Sequence, residues 1–428
     1  MPSTRKISIF PLLVVSFISA LGYGIVLPSL VYIVQRFHGG NFLYGALGAS
    51  YSAFQFIGAP VLGKLSDRFG RRRILFICVL GSAIAWALFI IAFRLPMTTL
   101  GTFTTSITGA VSLTLPMLSI FIARGVDGLT AGDVSVANAY IADIAAPEER
   151  KTDFGKMGVA GNLGFILGPA LAGVLAETSL GLYLPIATAL GTSVFALLLI
   201  IFFLPESRPV ATPSSRRRGK GVVPSSTTPQ PPPSVRGGVS KITFRAALAM
   251  DHIPLLLAIY FVFFLAFSLF VAAMPLYATE SLHWSVAEMG IFFSILSVVM
   301  VITEGPILSW FNKRASAETL TIWGTFIVVL SYVTLLVQSP ILAYAAAALY
   351  AIGNGLMWPS FLSLLSDRAG EAHQGYIQGI GESAGSLASI AGLFFGGILF
   401  TAMKGSIFIV PAVLVLVVFV MARRLRAV

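Results

Sequence analysis

GKLSDRFGRRR, residues 63–73, lies between two long apolar runs and packs one carboxylate and five basic side chains into a chain that is 57% hydrophobic. Gly63 and Gly70 permit tight turns of the backbone. Asp67 can face the positive N-terminus of a neighbouring helix, and Arg71 can form a bidentate pair with a carboxylate. So much charge flanked by apolar sequence belongs at a membrane face.

Composition points the same way. Charged residues make up only 11% of 428 positions, and the mean hydropathy is +0.90. This is the profile of a polytopic helical membrane protein. A helix needs ~20 apolar residues to cross the hydrocarbon core, because backbone groups left without partners there are too costly. Runs of that length fall near 8–34, 43–63, 74–94, 115–143, 154–177, 182–204, 252–277, 287–309, 317–338, 341–365, 374–400 and 406–422, which makes twelve spans. Polar residues interrupt the fourth. The first run is too long for a secretory h-region and no small-residue cleavage site follows it, so it reads as a retained span. The single cysteine, Cys78, falls inside span 3 with no disulfide partner.

Positive residues near span ends stay on the cytoplasmic side. With both termini inside, the cytoplasmic segments collect 24 of the 28 Lys and Arg residues, leaving Arg36, Arg94 and Lys404 outside and Arg124 within a span. The net charge of +11 is then a topology signal and an attraction to anionic membrane lipid, and no nucleic-acid surface is expected.

Residues 205–245 begin with a stretch rich in proline, serine and basic side chains that reads as a cytoplasmic, disordered linker. It divides the chain into two six-span bundles, 1–204 and 246–428. The halves echo each other: Gly63, Asp67 and Arg71 end span 2 with a spacing of four, and Gly305, Ser309 and Lys313 repeat it at the end of span 8 without the carboxylate. The expected architecture is all-α, with twelve transmembrane helices in two pseudo-symmetric six-helix bundles and a binding site between them at the midplane.

Ionisable residues within spans are functional candidates, since burial without a partner is expensive. Span 4 holds Arg124, Asp127 and Asp133, and span 11 holds Glu382. Arg124 and Asp127, three apart, share a helical face and can neutralise each other. Asp133 precedes Asp143 by ten residues, ~15 Å along a helix, which puts it near the midplane. A carboxylate in a low-dielectric cavity can take up and release a proton near physiological pH. Asp133 or Glu382 is therefore the candidate proton-coupling acid, tuned by Arg124, with structural pairing between helices as the competing role. In span 5, glycines on one side allow two helices to approach closely, and Pro169 bends the helix.

Enzyme chemistry has no support. No GxxxxGK[ST] stretch binds nucleotide phosphates. The four histidines, His38, His252, His283 and His373, lack metal-ligand spacing. Neither a metal nor any other cofactor is expected.

Taken together these motifs resemble the major facilitator superfamily, in particular its twelve-span drug:proton antiporters and their tetracycline-efflux branch. The resemblance covers nearly the whole N-terminal half: GYGIVLPSL in span 1, the segment from Tyr44 to Arg73, ARGVDGLTAG and NAYIADIAAPEER in span 4 and its exit, and FLPES after span 6. Gly155, Gly164, Gly168, Pro169 and Gly173 follow the family's antiporter pattern in span 5. The resemblance implies a cytoplasmic gate of Gly63, Asp67, Arg68, Gly70, Arg71 and Asp143. In it Asp67 sits against the start of span 11 and Arg71 pairs with Asp143, shutting the cytoplasmic side in the outward-facing state. Tyr23, Gln55, Asn138 and Asn162 are polar residues in helices that face the central cavity of this fold. The aromatic run from Phe261 to Phe270 adds apolar wall suited to an amphiphilic molecule. The tetracycline-efflux proteins usually carry an aspartate early in span 1; aligned on Gly22, Gly24 and Pro28, that position is Ser19 here. Either the acid has moved to span 4 or span 11, or transport is not proton-coupled.

The expected function is secondary active transport by alternating access: proton-coupled efflux of a small amphiphilic organic compound or drug by a monomeric multi-pass protein of the plasma (inner) membrane. The alternatives are an uptake symporter or facilitator for a polar metabolite, and a non-transporting membrane receptor.

Overall fold

The computed structural model describes residues 8–105, 109–145, 150–207, 244–370 and 373–426. The first half is built from α1 (Phe10–Arg36), α2 (Asn41–Phe69), α3 (Arg71–Ala92), a β-hairpin of β1 (Thr99–Thr105) and β2 (Gly109–Thr114), α4 (Leu115–Thr130), α5 (Asp133–Ile144), α6 (Arg150–Ala176) and α7 (Tyr183–Phe203). The short α8 (Phe244–Ala247) precedes the second half: α9 (Ile253–Glu280), α10 (Val286–Ile302), a π-turn (Thr303–Ile307), α11 (Leu308–Phe311), α12 (Ala317–Leu335), α13 (Pro340–Ala369), α14 (Gln374–Met403) and α15 (Ile409–Arg423).

Among the described residues, nine segments are long and apolar enough to cross a membrane, and one of them, Tyr376–Arg423, contains both α14 and α15. Adding the more polar α2 and the interrupted α4–α5 agrees with twelve spans. The helix pairings show the repeat directly. Within the first half α1 packs on α6 and α7, α3 on α4 and α7, and α2 on α4; in the second, α9 packs on α14 and α15, α12 on α13 and α15, and α10 on α13. Each pairing in one half thus has its counterpart in the other. The halves meet through α2 against α14 and α6 against α10, two contacts related by the same symmetry.

Three local features depart from an uninterrupted run of helices. The segment after α3 is a hairpin, with Thr102 opposite Ser112 and Phe103 opposite Val111; its threonines, valine and phenylalanine suit a pleated strand. Span 4, expected as one run over 115–143, breaks at Ala131–Gly132. There the Thr130 hydroxyl donates to the carbonyls of Val126 (2.8 Å) and Asp127 (3.2 Å), the second of which loses its regular partner because the Ala131 N–H turns to Gly128 O. Span 8 carries the π-turn around Pro306, whose missing N–H interrupts the regular ladder.

Close helix crossings depend on glycine. A Cβ on Gly353 would stand 2.7 Å from Gly324 O, and one on Gly324 would stand 2.5 Å from Gly353 O, so α12 and α13 touch backbone to backbone. Gly353→Leu is expected to destabilise the second half by about 1–3 kcal/mol through overpacking, read as a lower apparent Tm of the purified protein in detergent.

The cleft between the halves is closed at one end and open at the other. At the end away from residues 63–73, a Cβ on Gly45 would lie 2.7 Å from Leu393 O, one on Gly290 2.5 Å from Pro169 O, and one on Gly173 2.9 Å from Ala287 Cα. The Tyr32 hydroxyl there donates to Trp284 O (2.6 Å), and Gln35 Nε2 donates to Thr279 Oγ1 (3.0 Å). At the basic end, Gly155, Gly158, Gly161, Gly305 and Gly379 meet no atom beyond their own stretch of helix within 4 Å of where a Cβ would stand.

Candidate transport site

The basic end is organised around Arg71, a buried guanidinium that begins α3. Gly70 turns the chain at φ +100°, and the Glu206 carboxylate occupies the space that a side chain there would need. Glu206 accepts from the backbone N–H groups of Arg71 (2.8 Å) and Arg72 (3.3 Å), an anion at a helix N-terminus. The Arg71 fork then reaches three acceptors: Nε donates to Asp143 Oδ2 (3.1 Å), Nη1 to Ser66 Oγ (2.6 Å) and Nη2 to Asp67 Oδ1 (2.5 Å). Asp143 also accepts from Ser207 Oγ at 3.2 Å.

Of the expected gate residues, the structure brings Asp67, Arg71 and Asp143 together. Gly70 makes the turn, and Gly63 O accepts from Ser66 Oγ (2.7 Å). Arg68 stands apart, its guanidinium 5.2 Å from the Phe69 ring centroid. Asp67 is 64% exposed and turned to Arg71, away from the position against span 11 expected for the opposite, shut state. Ser66, Glu206 and Ser207 were not singled out in the sequence. Pro205–Ser207, expected to begin the linker, pack on the first half, where Pro205 O accepts from the Tyr140 hydroxyl (2.7 Å); residues 208–243 lie outside the described residues.

Deeper in the cleft are two cavities that share Ser52, Gln55 and Ser389. One, of about 750 Å³, is walled by Phe56, Tyr260 and Phe264 and contains the Glu382 carboxylate. The other, of about 280 Å³, is bounded by Tyr23, Tyr44, Tyr51, Arg124 and Phe267. Gln55 lines both cavities and Tyr23 the smaller. Asn138 and Asn162 line neither of these two cavities.

Arg124 is held by Asp127 (Nη1 to Oδ2, 3.4 Å) and by the rings of Tyr51 and Tyr23, at 4.2 and 5.9 Å. Asp127 also accepts from Ser82 Oγ at 2.8 Å. Asp133 is the first residue of α5, and its side chain lies near Ser19 of α1. The residue standing where the family has its span 1 acid thus lies near an acid on span 4. Glu382 is exposed to the larger cavity and makes no side-chain hydrogen bond or ion pair among the described residues. Glu304, in the π-turn, is a further carboxylate within span 8 that the sequence did not single out, since it sits beside Gly305 of the degraded repeat.

The glycine-proline residues of α6 divide their work. Gly164 lies on Phe17 and Ala20, and Gly168 on Gly24, all within the first half, whereas Pro169 and Gly173 meet Gly290 and Ala287 of the second. Gly155 touches neither. Among the described residues, no group of three His, Cys, Asp or Glu side chains is placed to hold a metal ion.

Two six-helix halves around a cleft open at one end, with a polar and aromatic cavity inside, define a membrane transporter. The sequence model of the Major Facilitator Superfamily matches residues 12–393 and 256–428, and the chain belongs to that family. It is 29% identical over 380 residues to the tetracycline resistance protein, class C, of Escherichia coli, covering 88% of this chain and 85% of the relative. It is 26% identical over 407 residues to multidrug resistance protein 1 of Bacillus subtilis (strain 168), covering 92% and 90%. Among solved structures, a bacterial homologue of the human lysosomal transporter Spinster superposes with a TM-score of 0.72 at 14% identity, over 98% of both chains. A D-xylose–proton symporter does so at 0.69 and 18% identity, over 96% of this chain and 97% of the other. These two likenesses concern the fold alone.

Proposed function

We propose that this transporter exports a small amphiphilic organic compound in exchange for protons, by alternating access. The observation that carries the reading is the cavity, where aromatic walls stand beside the Glu382 carboxylate, which has no side-chain partner among the described residues, and where Arg124, paired with Asp127, borders the adjoining cavity. An apolar wall takes the body of an amphiphile, a few polar groups orient it, and an intramembrane acid can exchange a proton. The names of the relatives, tetracycline and multidrug resistance proteins, agree with drug efflux. The basic end is cytoplasmic by its lysines and arginines, which puts both termini inside and makes the described state inward-open. The protein then works in the plasma (inner) membrane.

Asp133 is the preferred proton carboxylate, since it lies near Ser19, the position where the family's own acid is missing. Glu382 is the preferred contact for the polar end of the substrate. The competing reading, an uptake symporter or facilitator for a polar metabolite, draws on the same Ser19 replacement.

Purified protein in inside-out vesicles separates the two. With an acidic lumen, tetracycline or a lipophilic fluorescent dye is expected to accumulate inside and to leave when a protonophore collapses the gradient. Accumulation that follows the direction of proton flow would establish symport, and equilibration indifferent to the gradient a facilitator.

A further inference from the structure

The two cavities of the cleft carry opposite charges. Among the described residues, Glu382 is the one charged side chain bordering the larger and Arg124 the one bordering the smaller. Glu382 is exposed on α14 and stands beside a flat aromatic plate: Tyr260 stacks on Phe264 at 5.1 Å and 10°, and a Cβ on Gly381 or Gly385 would lie 3.0 or 2.6 Å from the Tyr260 ring. Two glycines thus seat that ring against the helix next to the acid. Seven residues on from Glu382, ~10 Å deeper along the helix, Ser389 also borders the smaller cavity, which reaches Gly45 and Leu393 of the closed outer joint. There Arg124 is 5% exposed and uses little of its fork of N–H donors. Nη1 meets Asp127 at 3.4 Å, the Tyr51 ring covers one face at 4.2 Å, and Nε has no hydrogen-bond partner among the described residues. Asp127, held in turn by Ser82 Oγ at 2.8 Å, offsets the buried charge and leaves most of the fork unoccupied. Buried donors without partners are costly, and an acceptor brought to them relieves that cost.

We propose that the joined cavities select a zwitterionic amphiphile, held with its cationic end at Glu382 and the Tyr260–Phe264 plate and its anionic end at Arg124. This deepens, and rests on, the reading of the cleft as the substrate site. A carboxylate beside aromatic faces suits a cation, and a guanidinium with donors to spare suits a carboxylate or enolate oxygen. Between them Ser52, Gln55 and Ser389, common to both cavities, offer neutral hydrogen-bonding groups to the body of the molecule. Rejection follows from the same two charges. A plain cation brings no acceptor to Arg124 and leaves its donors unpaired, while a plain anion meets the like charge of Glu382 at the mouth.

The test compares tetramethylrhodamine, which carries a delocalised cation and a carboxylate, with its methyl ester, which keeps only the cation. Binding of each to the full-length protein in detergent is read by fluorescence anisotropy, and the ratio of the two affinities is followed across variants, so that partition into micelles cancels. Arg124→Gln combined with Asp127→Asn, which leaves neither buried charge without its partner, is expected to lower the preference for the zwitterion by about tenfold or more, the effect of one charge-assisted hydrogen bond. Arg124→Lys keeps the charge but not the fork, and is expected to lower the ratio in the same direction. Glu382→Gln is expected to weaken both dyes by a similar factor and to leave the ratio as it was. A ratio unchanged in both Arg124 variants, or ester binding unchanged in Glu382→Gln, overturns the two-ended site. Vesicles with an imposed proton gradient tell that failure from a failure of export. Ester exchanged for protons, with no ratio change in the Arg124 variants, leaves export standing without the two-ended site. A ratio that falls as expected, with no gradient-driven movement of either dye, keeps the site and removes export.

Discussion

Arg71→Ala is expected to destabilise the protein by about 3–5 kcal/mol, the usual result of taking away the partner of a buried charge. The side chains of Arg71 and Asp143 are 9% and 2% exposed, so Asp143 loses a guanidinium that water cannot replace. Asp67→Ala, by contrast, is expected to cost no more than about 1 kcal/mol, because a pair with one largely exposed partner is screened. Arg71→Lys should recover little, since an ammonium cannot reproduce a fork aimed at Asp143, Ser66 and Asp67 together. Pairing Arg71→Met with Asp143→Leu removes both buried charges and is expected to regain much of the lost stability. The measurements are apparent Tm and monodisperse yield in detergent. A stable Arg71→Ala protein would show that the pair is dispensable to the fold, leaving only its role in gating.

The second large effect is expected at Gly290. Its missing Cβ leaves room for the Pro169 carbonyl of the opposite half at the closed end, and a backbone atom cannot rotate away as a side chain can. Gly290→Leu is therefore expected to fold but to hold the outer end apart. An overpacking cost of about 1–3 kcal/mol falls on the inward-open state alone. That corresponds to a shift of about 5- to 150-fold toward the outward-open state. Transport should fall accordingly, while a cysteine placed at Gly48, beside Leu393, becomes reactive to a membrane-impermeant thiol reagent from outside. Unchanged transport and no labelling would mean that the outer contact tolerates bulk.

How far these sites were readable in the sequence depends on what kind of signal each one leaves. Long apolar runs announce spans whatever surrounds them, so the helices appeared where hydropathy placed them. The Arg71–Asp143 pair followed from the resemblance, because a motif carries its partners with it. The break at Ala131–Gly132 left only one glycine and a few polar residues, which also fit an ordinary polar face. The hairpin after α3 fell unread between the third and fourth spans, since two short threonine-rich strands lack the length that marks a span. Asn138 and Asn162 were chosen by helix, but a helix presents several faces, and only the packed structure shows which of them borders a given cavity. Glu206 was visible within FLPES, yet nothing in the local sequence says that it caps a helix 135 residues earlier.

The outer contact has a thermodynamic consequence. Gly45 meets Gly397 across α2 and α14, and Gly173 meets Gly290 across α6 and α10, so backbone lies on backbone with few flexible side chains between. Closing such a joint freezes few rotamers, and opening it releases few, which removes one of the larger entropic terms in most interfaces. The two end states can then lie close in free energy with no bound molecule to bias them. A cargo or proton need distinguish them by only a few kcal/mol to reverse their populations. Weak, permissive binding is then sufficient to drive the cycle.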